Sequence, residues 1–418
     1  MKIAWIIGTN ISAADFDVVD VVNNSGGWNN TQLRELAGSD EISELVIISI
    51  RPEKTDKAIE ESKIVKIYHL PYSPVTRKVD KQLINDIDNI LGKEKPDLID
   101  IQGTETTYSA ITYLRKLPCP ALITLHGIAF QCERFYTRGF PARSLFFERT
   151  LVDNLAFKGV LEKKHLMHSR AKVERKILQS VKYVRGRTAW DRACILSINP
   201  KIQYFHEELI LRDAFAKRTW SLTTCQPHRI FTTQANSPLK SLFTLLEAVA
   251  ILKKKYNDIE LIVPGHPLRT GLVKSGHDKL IAKQIKTYSL ESNVKFTGNL
   301  SADQMADELV KSRVFVLQSE IENSPNSLAE AQMVGTPSVS SFTGGTPEYI
   351  KHGETGFLYN SFDPVMAAMY IDKLFTDDAL CAEMCEAERI LARSRHNERS
   401  ITRGLVNIYQ NIIAGENN

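Results

Sequence analysis

Val314-Phe315-Val316-Leu317-Gln318 is followed by Ser319 to Asn323, then Ser324-Pro325-Asn326-Ser327-Leu328-Ala329-Glu330, and the stretch closes with Gly335-Thr336-Pro337 and Ser338-Val339-Ser340-Ser341. The opening apolar run is too short for a helix and is bounded by polar turn residues, so it reads as a buried strand. Ser324-Pro325 reads as a helix start. Serine can cap free backbone N–H groups, and proline fits the first helical position because it has no N–H to leave unpaired. Gly335, with Pro337 close behind, stops that helix, and residues 338–341 read as the next strand. A strand, a helix and a strand in this order make a parallel unit.

The same alternation runs outward in both directions. Strands are expected at 2–8, 45–50, 65–69, 97–101, 121–125 and 181–184 in the first half, and at 229–234, 259–264, 294–297, 314–318 and 338–341 in the second. A chain of 418 residues is too long for one ordinary core and suits two α/β domains of roughly 200 residues each. The stretch from Arg212 to Pro227 is largely polar and separates the two series. The expected fold class is α/β, two Rossmann-like domains facing across a cleft. Residues 1–215 would form the first domain and 216–396 the second, with a final helix at about 397–418 able to pack back on the first.

Composition narrows the function. With 43% apolar and 24% charged residues the chain is an ordinary globular protein, and a net charge of +4 is small for a nucleic-acid binder. Six scattered cysteines form no C-x-x-C pair, as suits a reducing compartment. Met1 to Gly8 is too short an apolar run for a signal peptide, and no 18-residue apolar stretch exists, so a cytoplasmic protein is expected. Residues 142–178 read as two successive helices. Lys158 to Lys176 carries seven Lys/Arg against two acids, with an apolar second face. This is either a solvated charged face or a contact for a membrane surface or an anionic acceptor.

Three strands in the second half run into a Ser/Thr-Pro pair, at Ser237-Pro238, Ser324-Pro325 and Thr346-Pro347. In a parallel sheet these helix starts would gather at the carboxyl edge, where free N–H groups attract an anion such as a pyrophosphate. Lys240, expected at the third position of its helix, sits where the macrodipole disfavours a cation, so a bound phosphate would suit it; a solvent-facing lysine is the plainer reading. Glu322 precedes the second start. Glu330, six residues into that helix, stands roughly 9 Å along its axis, about the span from a diphosphate to a ribose. Carboxylates accept hydrogen bonds from sugar hydroxyls, so Glu330 suits a ribose and Glu322 a transferred sugar. The glycines of Thr343-Gly344-Gly345-Thr346-Pro347-Glu348 would let backbone approach a ligand, or simply make a turn. Gly353 to Leu358 reads as a turn into a short strand.

In this order the motifs resemble the retaining glycosyltransferases of family 4, which have the glycosyltransferase B fold. The resemblance is best from about Arg229 to Leu358. It rests on Lys240 with Leu245-Leu246-Glu247-Ala248, Pro264-Gly265, Val294-Lys295-Phe296-Thr297-Gly298, Ser319, the E-x7-E pair Glu322 and Glu330, and the Gly-Gly-Thr-Pro-Glu segment. In the first half it is looser, through Gly26-Gly27-Trp28, Thr124-Leu125-His126-Gly127, and Gly186-Arg187-Thr188 with Trp190-Asp191. The resemblance implies transfer of a sugar from a nucleoside diphosphate to an acceptor hydroxyl, with retention and without a required metal or other cofactor. It implies His126, Lys240 and Glu322 at the reacting sugar and leaving diphosphate. Gly27, Asn236, Ser237, Gly298, Leu300, Asn326, Ser327, Leu328 and Glu330 would hold the donor. The implied partners are a nucleotide-sugar and a saccharide or lipid-linked acceptor, with peripheral membrane contact through 158–176 and no nucleic acid. One departure stands out: the family commonly has an arginine five residues before the lysine, and here that position is Ala235.

Two other readings remain at this level. Asp15-Phe16-Asp17 and Asp86-Ile87-Asp88 have the D-x-D letters of metal-dependent transferases. A non-catalytic relative that binds sugars or a partner enzyme would account for Ala235.

Overall fold

The computed structural model describes residues 1–9, 11, 27–51, 59–72, 79–138, 159–232, 237–265, 268 and 275–416. Asp15-Phe16-Asp17, Gly26, Ala235, Asn236 and the 142–158 part of the expected helix pair lie outside them. The chain divides into two compact units. One is Met1–Phe130, His168–Ile210 and His396–Asn418; the other is Gln131–Met167 and Leu211–Arg395.

The first unit is built on β1 (Lys2–Ile7), β2 (Glu44–Arg51), β3 (Ile59–Ser62), β4 (Val65–Pro71), β5 (Leu98–Gln102), β6 (Ala121–Thr124), β7 (Tyr183–Gly186) and β8 (Gln203–His206). Their order across the sheet is β3-β4-β2-β1-β5-β6-β7-β8. All pairings are parallel except β3 with β4. β1 and β2, in the middle of the order, are largely apolar runs because both sheet faces are covered, as parallel sheets require. β3 and β8 escape the sequence reading because they are short edge strands, exposed or half-exposed, with no apolar run. The helices are α1 (Gly27–Ala37), α2 (Lys81–Glu94) and α5 (Ala189–Ile198), together with the start of α3 (Ala129–Phe135) and the second half of α4 (Val160–Ser180), whose remaining residues count with the second unit. Asp80 caps α2 by accepting from Gln82 and Leu83 N–H, and Thr188 caps α5 by accepting from Asp191 N–H. The described part of the basic segment is one continuous helix, α4.

The second unit carries β9 (Gln226–Thr232), β10 (Glu260–Val263), β11 (Val294–Phe296), β12 (Ser312–Leu317), β13 (Ser338–Phe342) and β14 (Phe357–Asn360). They pair in the order β11-β10-β9-β12-β13-β14, all parallel. This is the doubly wound order, with its reversal between β9 and β12, the place where such sheets bind ligands. Its helices are α6 (Leu242–Lys253), α7 (Gly276–Thr287), α8 (Ala302–Lys311), α9 (Asn326–Val334), α10 (Pro364–Thr376) and α11 (Asp378–Arg395). Capping boxes open α7 at Ser275 with Asp278 and α8 at Ser301 with Gln304. The polar stretch after Arg212 is not a loose linker. Phe215 and Trp220 are buried in this unit's core, and Trp220 Nε1 donates to the Ser312 carbonyl at 2.8 Å.

The last helix, α12 (Glu398–Glu416), returns to the first unit. Leu405, Tyr409 and Ile412 are buried with Ile3, Trp5, Leu33 and Leu45. No described helix is long and apolar enough to cross a membrane.

Candidate functional site

At the carboxyl edge of the second sheet the two strands at the reversal lead into adjacent loops. β9 ends at Thr232, whose hydroxyl donates to the Val316 carbonyl of β12 at 2.8 Å. Beyond the undescribed residues, Ser237 takes extended backbone and its side chain accepts from Leu239 N–H. Pro238 to Lys240 form a single 3₁₀ turn, and Ser241 follows in the left-handed region at φ 42° before α6 begins. Lys240 is therefore not the third residue of an α-helix. It ends the turn that precedes one, which removes the dipole misfit expected from the sequence and leaves its ammonium free to swing toward β12.

There it meets Glu322: the Lys240 ammonium donates to Glu322 Oε1, with the lysine side chain about a third exposed and the glutamate largely buried. The loop carrying Glu322 is strapped along its backbone. Glu320 N–H donates to the Leu239 carbonyl at 2.8 Å. The Ser341 hydroxyl donates to Ser319 O at 2.6 Å, the Thr343 hydroxyl to Glu320 O at 2.6 Å, and Gly345 N–H to Glu322 O at 3.1 Å. Gly344 lies at φ 50°, and a Cβ there would come within 1.9 Å of Glu322 O. The close approach these glycines allow is thus to the neighbouring loop. Thr346-Pro347 opens only a 3₁₀ turn, Thr346–Glu348, and the Thr346 hydroxyl is spent on the residues before it, its proton shared between Ser341 O and Thr343 O.

The 324–325 pair also departs from the sequence reading. Ser324 does not cap: Pro325 is the extended flanking residue, with ψ 101°, and α9 starts at Asn326. Asn326 and Ser327, both partly exposed, supply the first N–H groups of the helix, which have no partner within it. Leu328 is fully buried and its N–H donates to Pro325 O at 3.0 Å. Glu330 is the fifth helical residue, roughly 6 Å along the axis at 1.5 Å per residue. It is buried and held by Arg212, whose Nε and Nη2 donate to Oε1 at 3.0 and 2.7 Å. Burial pushes its carboxyl up while Arg212 draws it down. No local pattern marks that pairing, since the partners lie 118 residues apart. Gly298, at φ 78°, bridges to Gly265 and has open space where a Cβ would stand; Leu300 packs against the core.

Glu320 is a residue the sequence reading passed over. Its carboxyl is buried, and among the described residues neither oxygen makes a hydrogen bond of good geometry. Burial pushes it up to about 7, against a smaller opposing pull from the Ser241 hydroxyl and Arg138.

In the first unit, β6 ends at Thr124 and His126 follows. Its Nε2 lies 3.2 Å from Gln102 Oε1 and its Nδ1 3.0 Å from Arg187 Nη2. Burial, then the Arg187 and Arg185 charges, hold the imidazole well below its ordinary value. The Gly186-Arg187-Thr188…Asp191 motif is explained by its own geometry. Asp191 accepts from Arg187 N–H at 2.9 Å and from Tyr204 hydroxyl at 2.5 Å, and a Cβ on Gly186 would meet both groups. Gly27 begins α1, whose preceding loop is outside the described residues. Asp86 and Asp88 lie on α2, where Asp86 accepts from Gln82 Nε2 and Asp88 pairs with Arg115.

The family model described as glycosyl transferases group 1 matches residues 226–390. The chain is 34% identical over 155 residues to the D-inositol 3-phosphate glycosyltransferase of Streptomyces avermitilis, 36% of this chain and 32% of that one. It is 30% identical over 138 residues to the N-acetyl-alpha-D-glucosaminyl L-malate synthase of Bacillus anthracis, 33% of this chain and 36% of that one. The chain thus spans about a third of the length of these curated relatives. Among solved structures, sucrose-phosphate synthase from Thermosynechococcus elongatus superposes with TM-score 0.73 at 17% identity, covering 99% of both chains. HepE from Anabaena, solved with UDP-glucose, gives 0.65 at 14%, covering 98% of this chain and 100% of that one. The architecture is the glycosyltransferase B fold.

Proposed function

We propose that the protein is a glycosyltransferase that moves a sugar from a nucleoside-diphosphate sugar to an acceptor hydroxyl with retention at the anomeric carbon and without a metal. The carrying observation is the Lys240–Glu322 pair at the strand reversal of the second sheet, four residues ahead of the free N–H groups of α9. An entering diphosphate would draw the Lys240 ammonium from Glu322 and take the helix N–H groups. Charge building on the leaving diphosphate would then be stabilised by groups already in place. Glu322, released, would accept from hydroxyls of the transferred sugar, and His126, in the first unit, would orient a sugar hydroxyl. Glu330, held by Arg212, keeps one carboxylate oxygen for a ribose hydroxyl. The likeness to the D-inositol 3-phosphate glycosyltransferase supports this reading, as does HepE with its UDP-glucose.

We further propose a cytoplasmic protein acting in polysaccharide or glycolipid assembly, on a saccharide or lipid-linked acceptor. The basic helix α4 supports contact with an anionic membrane surface, with Lys163 and Lys172 exposed on it.

The test is release of nucleoside diphosphate from UDP-, GDP-, ADP- and CDP-sugars in EDTA, with and without a crude membrane extract. Release from one donor, raised by the extract, is the expected result. Loss of release in EDTA would overturn metal independence. Silence from the whole panel with no nucleotide bound would favour a non-catalytic sugar-binding relative, the reading that Ala235 favours.

A further inference from the structure

Beneath His126 a line of hydrogen bonds runs through the first unit from a fixed cation to a buried carboxylate. Arg187 Nη2 stands 3.0 Å from His126 Nδ1, His126 Nε2 stands 3.2 Å from Gln102 Oε1, and Gln102 Nε2 donates to Asp100 Oδ1 at 2.7 Å. Asp100 is fully buried on β5 and also accepts from the Thr124 hydroxyl at 2.7 Å and from the Tyr409 hydroxyl of α12 at 2.7 Å. The two ends decide the direction of every bond between them. A guanidinium has only donors, so Nδ1 must accept and the ring proton must sit on Nε2. Gln102 must then turn its carbonyl oxygen to His126 and its NH₂ to Asp100. The flipped amide would set its oxygen against a carboxylate and its NH₂ against a nitrogen that already carries a proton.

We propose that Arg187 and Gln102, anchored by Asp100, are positioning residues that lock His126 as a neutral Nε2–H donor at the carboxyl edge of the first sheet. The inference rests on the transferase reading only for what the donor meets, a sugar hydroxyl. The 3.2 Å bond to Gln102 is long for a donor of this kind, so an incoming hydroxyl can share the Nε2 proton without the ring turning. Protonation at Nδ1 would require breaking the Arg187 bond and placing a second positive charge beside it. The charged and titratable groups around the ring agree. Arg185 on β7 adds positive charge, and Arg170 on α4 lies with Arg187 close enough to act on Glu105. The Glu105 carboxylate is turned to the Gly127 N–H, and Glu174 is occupied by Thr104 and the first N–H groups of α3. Arg187 is held in turn by the Leu125 carbonyl at 2.9 Å and through its own N–H by Asp191.

The test is nitrogen NMR of the full-length protein with ¹⁵N-labelled histidine, the His126 signals identified by their loss in His126→Gln. In the wild type, one protonated and one unprotonated ring nitrogen, unchanged from pH 5 to 9, are expected. A ring that titrates in this range, or carries its proton on Nδ1, overturns the proposal whatever the activity. Gln102→Leu removes the acceptor without adding charge. The expected signature is a mobile ring with kcat reduced on the order of tenfold and KM for the donor little changed, since a small misplacement near the reacting centre is felt mainly in the rate. Arg187→Lys keeps the charge but not the planar donor, and should let the two tautomers mix. Unaltered His126 signals in both variants would also overturn the assignment. A locked ring in a protein that turns over no sugar nucleotide would remove the transferase reading and leave the lock standing.

Discussion

Lys240 and Glu322 hold each other at the strand reversal, so removing either also releases its partner. On the proposed function, Lys240→Ala would strip the cation facing a leaving diphosphate, and loss of one such preorganised group lowers kcat by about 10²–10³-fold. Nucleoside diphosphate release by a variant with an unchanged thermal midpoint checks this; a rate within a few-fold of the wild type would take Lys240 out of the site. Glu320 makes a different kind of expectation. Its folded value, about 7, lies above its ordinary 4.5, so the folded state keeps a proton that the unfolded chain gives up between those values. Stability from this group is complete below pH 4.5 and falls as pH rises through 7. Glu320→Gln keeps the shape and cannot ionise. The wild type should therefore lose on the order of 1–3 kcal/mol relative to this variant between pH 5 and pH 8. Glu174 and Glu207 are also raised to about 7, but both proteins share them, so the difference isolates Glu320. Parallel pH curves from urea unfolding would show that Glu320 ionises freely in the fold.

Among the elements, the strap from β13 onto the 319–322 loop is open to a single substitution at Gly344. Gly344→Ala would set a Cβ against Glu322 O at a backbone angle that L-residues rarely adopt. The strap must then open, at about 2 kcal/mol or more, and nucleotide affinity should fall with it. Urea unfolding and nucleotide titration of the same variant measure both; a stable variant with unchanged affinity would show that the strap does not hold the site. Apart from the edge strands β3 and β8, the sequence carried the strands and the order of the motifs because burial and period show locally. It did not carry the turn at Lys240, because a proline after a cap opens a 3₁₀ turn and an α-helix with the same letters. Nor did it carry the extended Pro325 or the grip of Arg212 on Glu330. That grip is settled by a partner 118 residues away along the chain. Asp100 reads simply as a strand residue, and Gln102 falls just past the expected strand, until β6 and α12 are laid beside them.

At the scale of the whole molecule, the first unit is completed by the last stretch of chain. Trp5 Nε1 donates to the Tyr409 hydroxyl at 3.0 Å, and that hydroxyl donates onward to Asp100, so α12 supplies both packing and a polar contact in the middle of the sheet. Lys182 and the Tyr183 hydroxyl fasten the end of the helix through Glu416. Tyr409→Phe should cost about 1–3 kcal/mol, because it leaves the buried Asp100 and Trp5 groups without their partner while keeping the ring. A chain ending at Arg395 loses far more: Leu405, Tyr409 and Ile412 leave Ile3, Trp5, Leu33 and Leu45 uncovered. Hydrogen exchange separates the consequences. Amides of β1, β2 and β5 should lose their protection in the shortened chain, whereas β9 and β12, which lie in the other unit's core, should keep theirs. Equal protection in the first sheet with and without residues 396–418 would mean that the terminal helix only covers a core already complete, and the polar contact at Asp100 would then not couple that helix to His126.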